Sequence, residues 1–258
     1  MGYFAAVYGA LSYVIFLASF LYAIGFVGNL WVPKSIDAPP GASGWIAFTV
    51  DAIVLGLFAV QHSVMARPVF KRWWTRVLPE AVERSTYVLI SSLLLGLIFV
   101  GWQPLPLTVW AVPGGLAEIV LTALYWVGWL IVLLSTFMIS HFELFGLTQV
   151  WRRLRGRPMA RASFKEAFLY RFVRHPIMLG FLIAFWCTPV MTLGHLLFAL
   201  LTTGYILVGV QLEEHDLLAA FGAAYASYRK RVPMLIPFLT RPSARPGVRH
   251  GADRATGR

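Results

Sequence analysis

Four stretches of the chain are nearly free of charged side chains over about twenty residues each, the length needed to cross roughly 30 Å of hydrocarbon. They are Tyr3–Val27, Trp45–Val64, Thr86–Trp102 and Leu116–Ile139. A fifth apolar run, Pro176–Val210, is interrupted at its centre by Thr188-Pro189 and Gly194-His195, which are turn signals. It predicts two short helices forming a hairpin, the first barely long enough to cross. The pattern reads as an all-α, polytopic transmembrane helix bundle of about five to six spans, with five full spans and a partial one as the lower count. After the hairpin, Leu217–Tyr228 carries Phe221, Tyr225 and Tyr228 at helical spacing and reads as an amphipathic helix at the bilayer surface. The first stretch has no basic n-region and no small-residue cleavage site, so it is expected to be a retained span rather than a signal peptide. Residues 1–239 are expected to form a single integral membrane domain. Residues 240–258, rich in Pro, Gly and Arg, are expected to be a disordered basic tail. We find no internal repeat and no Gly-rich phosphate loop of the soluble dinucleotide-binding type.

Composition agrees with this pattern. Of 258 residues, 59% are hydrophobic and 13% charged, and the mean hydropathy is +0.71. A soluble domain carries roughly a quarter of its residues as charges. The net charge of +11 would suit a nucleic-acid binder until the basic residues are placed. Five lie in 67–85, eight in 140–175 and eight after Val210, leaving Lys34 alone of the 22 on the opposite side. Such a bias sets orientation: these segments, and both termini with them, are expected to face the cytoplasm from a multi-pass position in the inner membrane. The charge is therefore a topology signal with a secondary attraction to the lipid bilayer, and no nucleic-acid partner is implied. The single cysteine, Cys187, excludes an internal disulfide and a cysteine-ligated zinc site.

Four of the six histidines, His62, His141, His175 and His215, fall where an apolar stretch meets the basic face. Polar neighbours accompany each: Gln61 and Ser63, then Glu143, then Arg174, then Glu213, Glu214 and Asp216. Ionisable groups at that depth are costly and usually face an interior cavity. No close-spaced histidine pairs of the membrane di-iron kind occur, so no metal is assigned. Asp51 and Glu118, toward the other face, are read as structural hydrogen-bonding groups.

The densest signal runs from Tyr170 to Pro237. Arg174 and His175 precede Pro176 at a helix start, a position that tolerates proline and favours anions. Glu213 and Glu214 are expected to end the return arm of the hairpin on the same side. Cation, carboxylates and aromatics thus converge beside the bilayer, an arrangement suited to a zwitterionic, cationic ligand with a flat ring.

The arrangement Arg174-His175-Pro176 with Gly180, then Glu213-Glu214, Leu217, Phe221-Gly222, Tyr225 and Tyr228, then a closing Val232-Pro233 and Pro237, resembles the isoprenylcysteine carboxyl methyltransferase superfamily. Those membrane enzymes use S-adenosyl-L-methionine. The resemblance implies a cytoplasmic-face cofactor site formed by the C-terminal hairpin and amphipathic helix, with Arg174, His175, Met178, Gly180, Glu213, Glu214, Tyr225 and Tyr228 as cofactor-binding residues. Met178 departs from the tyrosine the superfamily has there. The stretches QHSVMARPVFKRWWTRVLPEAVERSTYVL and GWLIVLLSTFMISHFELFGLTQVW are similar to one branch, the bacterial methanethiol S-methyltransferases, which form dimethyl sulfide. Together these resemblances cover most of residues 58–238.

The implied reaction is methyl transfer to a small thiol, which must first lose its proton. His62 and His141 are the candidate bases, with Glu143 to orient or tune one of them. Gln61, Ser63, Tyr87 and Phe142 are candidate substrate-pocket residues, with Trp129 as a further closing aromatic. Three other functions remain open to the residues alone: methyl transfer to a lipid or prenylated carboxylate, a nicotinamide-dependent reductase, and a non-enzymatic transporter.

Overall fold

Each of the four apolar stretches is one continuous helix in the computed structural model, which describes residues 2–39, 41–112, 114–159, 164 and 166–237. In chain order, α1 is Gly2–Gly28, α2 Gly44–Ala66, α3 Pro68–Trp74 and α4 Glu80–Gly101. Strand β1, Thr108–Ala111, precedes α5, Gly115–Ile139, the short α6, His141–Leu144, and α7, Leu147–Leu154. A 3-10 turn, Phe168–Arg171, leads into α8, Pro176–Trp186, then strand β2, Val190–Thr192, and α9, Leu193–Arg231. Five helices, α1, α2, α4, α5 and α9, are long and apolar enough to cross a membrane. The protein is a multi-pass helical membrane bundle. The basic tail, 240–258, lies outside the described residues.

The hairpin differs from its expected form. Only α8 is short: its 11 residues rise about 16 Å, half the hydrocarbon thickness. The rest of that crossing is extended chain, whose polar backbone is paired as a low-dielectric setting demands. Strand β2 runs antiparallel to β1, pairing Thr108 with Thr192 and Ala111 with Val190. Flanking bonds from Leu193 N to Leu107 O (2.7 Å) and Gly194 N to Leu105 O (3.1 Å) extend the pairing. The return arm is not short. Helix α9 has 39 residues, and its one interior break falls at Gly222, with φ 52° and ψ −125°. Glu213 and Glu214, twenty and twenty-one positions past Leu193, sit about 30 Å along it, within the helix rather than at its end.

Helix α5 packs on α8, and α1 on α4. The first contact depends on two glycines. A Cβ on Gly128 would fall 2.6 Å from Ala184 N, and one on Gly180 would fall 2.7 Å from Gly128 O. Small residues at a crossing let backbones touch where apolar lipid gives helices little other reason to associate. Away from these contacts, large apolar side chains such as Leu11, Leu57, Val100, Leu130 and Val208 are exposed, as lipid-facing positions require. The end opposite the basic residues is fastened by polar bonds. Asp51 Oδ1 accepts the Gln103 amide (2.7 Å), and buried His195 Nε2 lies 2.9 Å from Phe185 O. Glu118 accepts the Gly114 amide at 2.7 Å.

Candidate active site

The residues before α8 are held by the chain's last described segment. Arg174 N donates to Pro233 O (2.9 Å) and His175 N to Met234 O (3.2 Å), so residues 232–237 lie as a strap across the start of α8. The Arg174 guanidinium reaches three partners: Glu214 Oε1 (2.6 Å), Arg229 O (2.9 Å) and Val232 O (2.6 Å). His175 is buried between the two carboxylates, Nε2 3.2 Å from Glu214 Oε1 and Nδ1 3.5 Å from Glu213 Oε2. Burial alone would lower the pKa of this imidazole. The two carboxylates outweigh it and hold the ring above its ordinary value, so His175 favours the charged form. Glu214 is buried, whereas the Glu213 side chain is 47% exposed and open on one side.

Beyond Gly222, α9 supplies an aromatic cluster. Phe164, Tyr225 and Tyr228 pack with centroids 5.1 to 5.8 Å apart. Tyr228 donates to Tyr170 O at 2.6 Å. The Tyr225 hydroxyl is buried with no partner among the described residues. Met178 is half-buried in the first turn of α8. Gly180 is the packing contact to Gly128 described above.

A second polar cluster sits where α2, α4 and α9 meet. His62 Nε2 is 2.9 Å from the Tyr87 hydroxyl, and Nδ1 is 3.2 Å from Ser91 Oγ. Ser91 in turn lies 3.3 Å from Gln61 Oε1. Phe58 stacks on the imidazole at 5.1 Å, and Tyr205 of α9 stands 6.5 Å away. The Arg84 guanidinium lies over the Tyr87 ring at 5.0 Å. Arg67, just past α2, pairs with Asp216 of α9 at 2.8 Å and fixes this corner. Helix α9 borders both clusters: its Tyr205 stands beside His62, and two turns on its Glu213 lies 3.5 Å from His175 Nδ1. Ser63 is half-buried beside His62, with its carbonyl accepting Arg67 Nε at 3.2 Å.

His141 is elsewhere. Its ring joins the α5–α6 corner to α1, with Nε2 2.8 Å from the Tyr13 hydroxyl and Nδ1 2.8 Å from Thr136 Oγ1. Phe137 stacks on it at 4.2 Å. Burial holds its pKa below the ordinary value, and no charged group contributes. Glu143 lies two residues on, without contact to the ring, and its carbonyl accepts Gln149 Nε2 at 3.0 Å. Phe142 is 54% exposed on the outside of this corner. His215 points outward, its side chain 84% exposed. Of the four histidines at this end, His62 and His175 both lie against α9, His141 lies against α1, and His215 faces outward. Ser91, Phe58 and Tyr205 escaped the sequence reading. Ser91 had a faint signal, a hydroxyl one helical turn after Tyr87 in an otherwise apolar stretch. Among the described residues, no three His, Cys, Asp or Glu side chains converge as metal ligands.

Comparison with known proteins bears on this geometry. The family model described as NnrU protein matches residues 52–224, which include the His62 cluster and Arg174, His175, Glu213 and Glu214 but stop short of Tyr225 and Tyr228. A Methanethiol S-methyltransferase from Mycobacterium tuberculosis is 55% identical over 236 residues, 92% of this chain and 97% of that protein. Methanethiol S-methyltransferase 2 of Bradyrhizobium diazoefficiens is 56% identical over 232 residues, 90% of this chain and 89% of that protein. Nurim of Bos taurus is a more distant relative, 29% identical over 201 residues, 70% of this chain and 75% of that protein. No solved structure matches the chain. The chain belongs to the NnrU protein family, in the branch that holds the methanethiol S-methyltransferases.

Proposed function

We propose that this protein is a thiol S-methyltransferase that uses S-adenosyl-L-methionine and converts methanethiol to dimethyl sulfide. The observation that carries the reading is that one helix, α9, packs Tyr205 against the hydrogen-bonded His62–Tyr87 pair and, two turns on, brings Glu213 and Glu214 to the buried Arg174–His175 pair. The names of the similar bacterial proteins supply the acceptor.

The residues fit the cofactor. The buried Tyr225 hydroxyl lacks a partner among the described residues, and buried hydroxyls rarely go without one. The half-open Glu213 carboxylate suits a cationic group. The aromatic cluster around Tyr225 and Tyr228 offers walls for a purine. Bound there, S-adenosylmethionine supplies a methyl group already activated as a sulfonium. The protein's own work is then to orient the reactants, exclude water and take the thiol proton. Simple thiols are mostly protonated near neutrality, so a base is required, and His62 is the histidine beside α9, the helix that also carries Glu213 and Glu214 to the cofactor cluster. Methanethiol offers one carbon and one sulfur. At a ceiling of about −1.5 kcal/mol per heavy atom, its binding is weaker than millimolar. Selectivity then rests on a closed apolar pocket rather than on affinity.

The basic end, with the site and both termini, faces the cytoplasm from the inner membrane, because Lys and Arg gather on the side that stays untranslocated. The test uses purified protein in lipid nanodiscs. S-adenosylhomocysteine is expected to raise the melting temperature and NADPH to leave it unchanged. Headspace analysis with S-adenosylmethionine and methanethiol is expected to detect dimethyl sulfide. Its absence from folded protein removes the reading.

A further inference from the structure

The hydrogen bonds around His62 support one consistent set of donors and acceptors. Gln61 Nε2 lies 3.0 Å from the Met65 thioether, which only accepts, so the amide oxygen must face Ser91. Ser91 Oγ is 3.3 Å from that oxygen and gives it its one proton. Ser91 is then an acceptor toward His62 Nδ1 at 3.2 Å, so Nδ1 carries the imidazole proton. Nε2 is left with its lone pair and accepts from the Tyr87 hydroxyl at 2.9 Å. A second acceptor for that proton, the His62 carbonyl, is farther away at 3.4 Å. Every proton in the chain thus points from Tyr87 toward Met65. Both nitrogens of His62 are taken, and the free lone pairs at the head of the chain are those of Tyr87 Oη.

We propose that Tyr87 is the catalytic residue that takes the thiol proton, and that His62 acts behind it as the base. The inference rests on the thiol methylation proposed above. The thiol S–H bond breaks and its proton goes to Tyr87 Oη. The proton already on Tyr87 passes to His62 Nε2 in the same movement. Tyr87 stays neutral, His62 becomes imidazolium, the sulfur keeps the electron pair as thiolate, and His62 later releases one proton to water. No oxidant or reductant is needed. Arg84, Arg67, Tyr205 and Glu213 are the charged or titratable groups acting on this pair. The bonds of His141 support the same tautomer: with Thr136 donating to Leu133 O at 2.7 Å, its hydroxyl accepts from Nδ1. Yet no charged group of the cofactor cluster acts on that ring, and its partner Tyr13 is a matched control.

The experiment has two readouts. In 15N-histidine NMR of the protein in nanodiscs, His62 is expected to be a single Nδ1–H tautomer, and Ser91→Ala is expected to lose it. In turnover assays near neutral pH, Tyr87→Phe is expected to fall by about 100-fold or more while S-adenosylhomocysteine affinity by calorimetry is unchanged. The deficit is expected to shrink as pH rises and solution supplies thiolate. The double variant Tyr87→Phe/His62→Ala is expected to be no slower than the worse single one, because both residues serve one path. Tyr13→Phe is expected to show neither the deficit nor its pH dependence. An Nε2–H tautomer, a fully active Tyr87→Phe, additive losses, or the same deficit in Tyr13→Phe each overturns the assignment. If Tyr87→Phe does not fold, Ser91→Ala decides: unchanged tautomer and unchanged turnover reject the relay. Wild-type protein that forms no dimethyl sulfide rejects the methyltransferase reading itself, whereas an active wild type beside an active Tyr87→Phe rejects only the relay.

Discussion

Replacing Glu214 by glutamine tests the buried charge cluster most directly. The residue is 4% exposed and accepts from Arg174 Nε at 2.6 Å and from His175 Nε2 at 3.2 Å, with Arg229 Nη1 3.8 Å from its other oxygen. Glutamine keeps the shape and removes the charge. Arg174, its side chain 10% exposed, then keeps its bonds to the carbonyls of Arg229 and Val232 but loses its compensating carboxylate. Removing one partner of a buried pair costs about 3–5 kcal/mol. The two remaining carbonyl acceptors put Glu214→Gln at the low end, about 3 kcal/mol, or roughly a hundredfold in the folding equilibrium. Thermal and denaturant unfolding in nanodiscs measure this. The double change Arg174→Met/Glu214→Leu is expected to recover most of the loss, since an apolar pair of similar volume replaces a buried ion pair at little cost. An unchanged melting temperature for Glu214→Gln, or a double variant worse than the sum of its parts, refutes the reasoning.

The pH dependence of the same cluster has a definite sign. The native pKa of His175 is raised above its ordinary 6.5. Its stabilising contribution is therefore complete below pH 6.5 and is lost as pH rises through the native value. The stability difference between wild type and His175→Gln is expected to be widest on the acid side and to narrow on the alkaline side.

Three further outcomes are expected. Gly128→Ala forces a methyl group to within 2.6 Å of the α8 backbone and should destabilise the bundle by about 1–3 kcal/mol in unfolding measurements, through the α5–α8 contact alone. Reporter fusions at Arg76 and Gly156 should report cytoplasm and fusions at Leu107 the outside, and a cytoplasmic signal at Leu107 overturns the orientation. His141→Leu strands the Tyr13 hydroxyl, Thr136 keeping its bond to Leu133 O, and should cost about 1–3 kcal/mol of stability while leaving the shape of the pH–rate profile unchanged.

Hydropathy alone carries the four full spans because a membrane helix must be apolar on every face, and no tertiary contact is needed to see that. The run Glu213-Glu214-His215-Asp216 misleads for the same reason. Four polar residues look like the end of a span, but Leu217 through Ala220 are strong helix formers, and the helix continues to a break at Gly222. The β1–β2 pairing is invisible in the pattern because its partners are about eighty residues apart. Its first strand is four residues long, between Pro106 and Pro113. The glycines at 128 and 180 look like ordinary apolar-run residues until the two backbones are seen to touch.

The histidines show where sequence reading reaches its limit. Position along the chain gives depth in the bilayer, and His62 and His141 lie at matching depth near the ends of α2 and α5. Depth is one coordinate of three, and the other two decide chemistry. Each ring has a hydroxyl behind it and a tyrosine in front, so hydrogen bonding alone does not distinguish them. The difference lies in what packs beyond the tyrosine. Tyr87 stands under Arg84, in the corner closed by Tyr205 of α9, the helix whose Glu213 touches His175 at the start of α8. Tyr13 faces Phe16 and Phe145. A proton leaving a thiol needs charge nearby to receive its consequences, and an aromatic lining offers none. On the relay proposed above, the same local motif moves a proton where α9 and Arg84 pack against it and serves only as a structural clasp where it joins α1 to the α5–α6 corner.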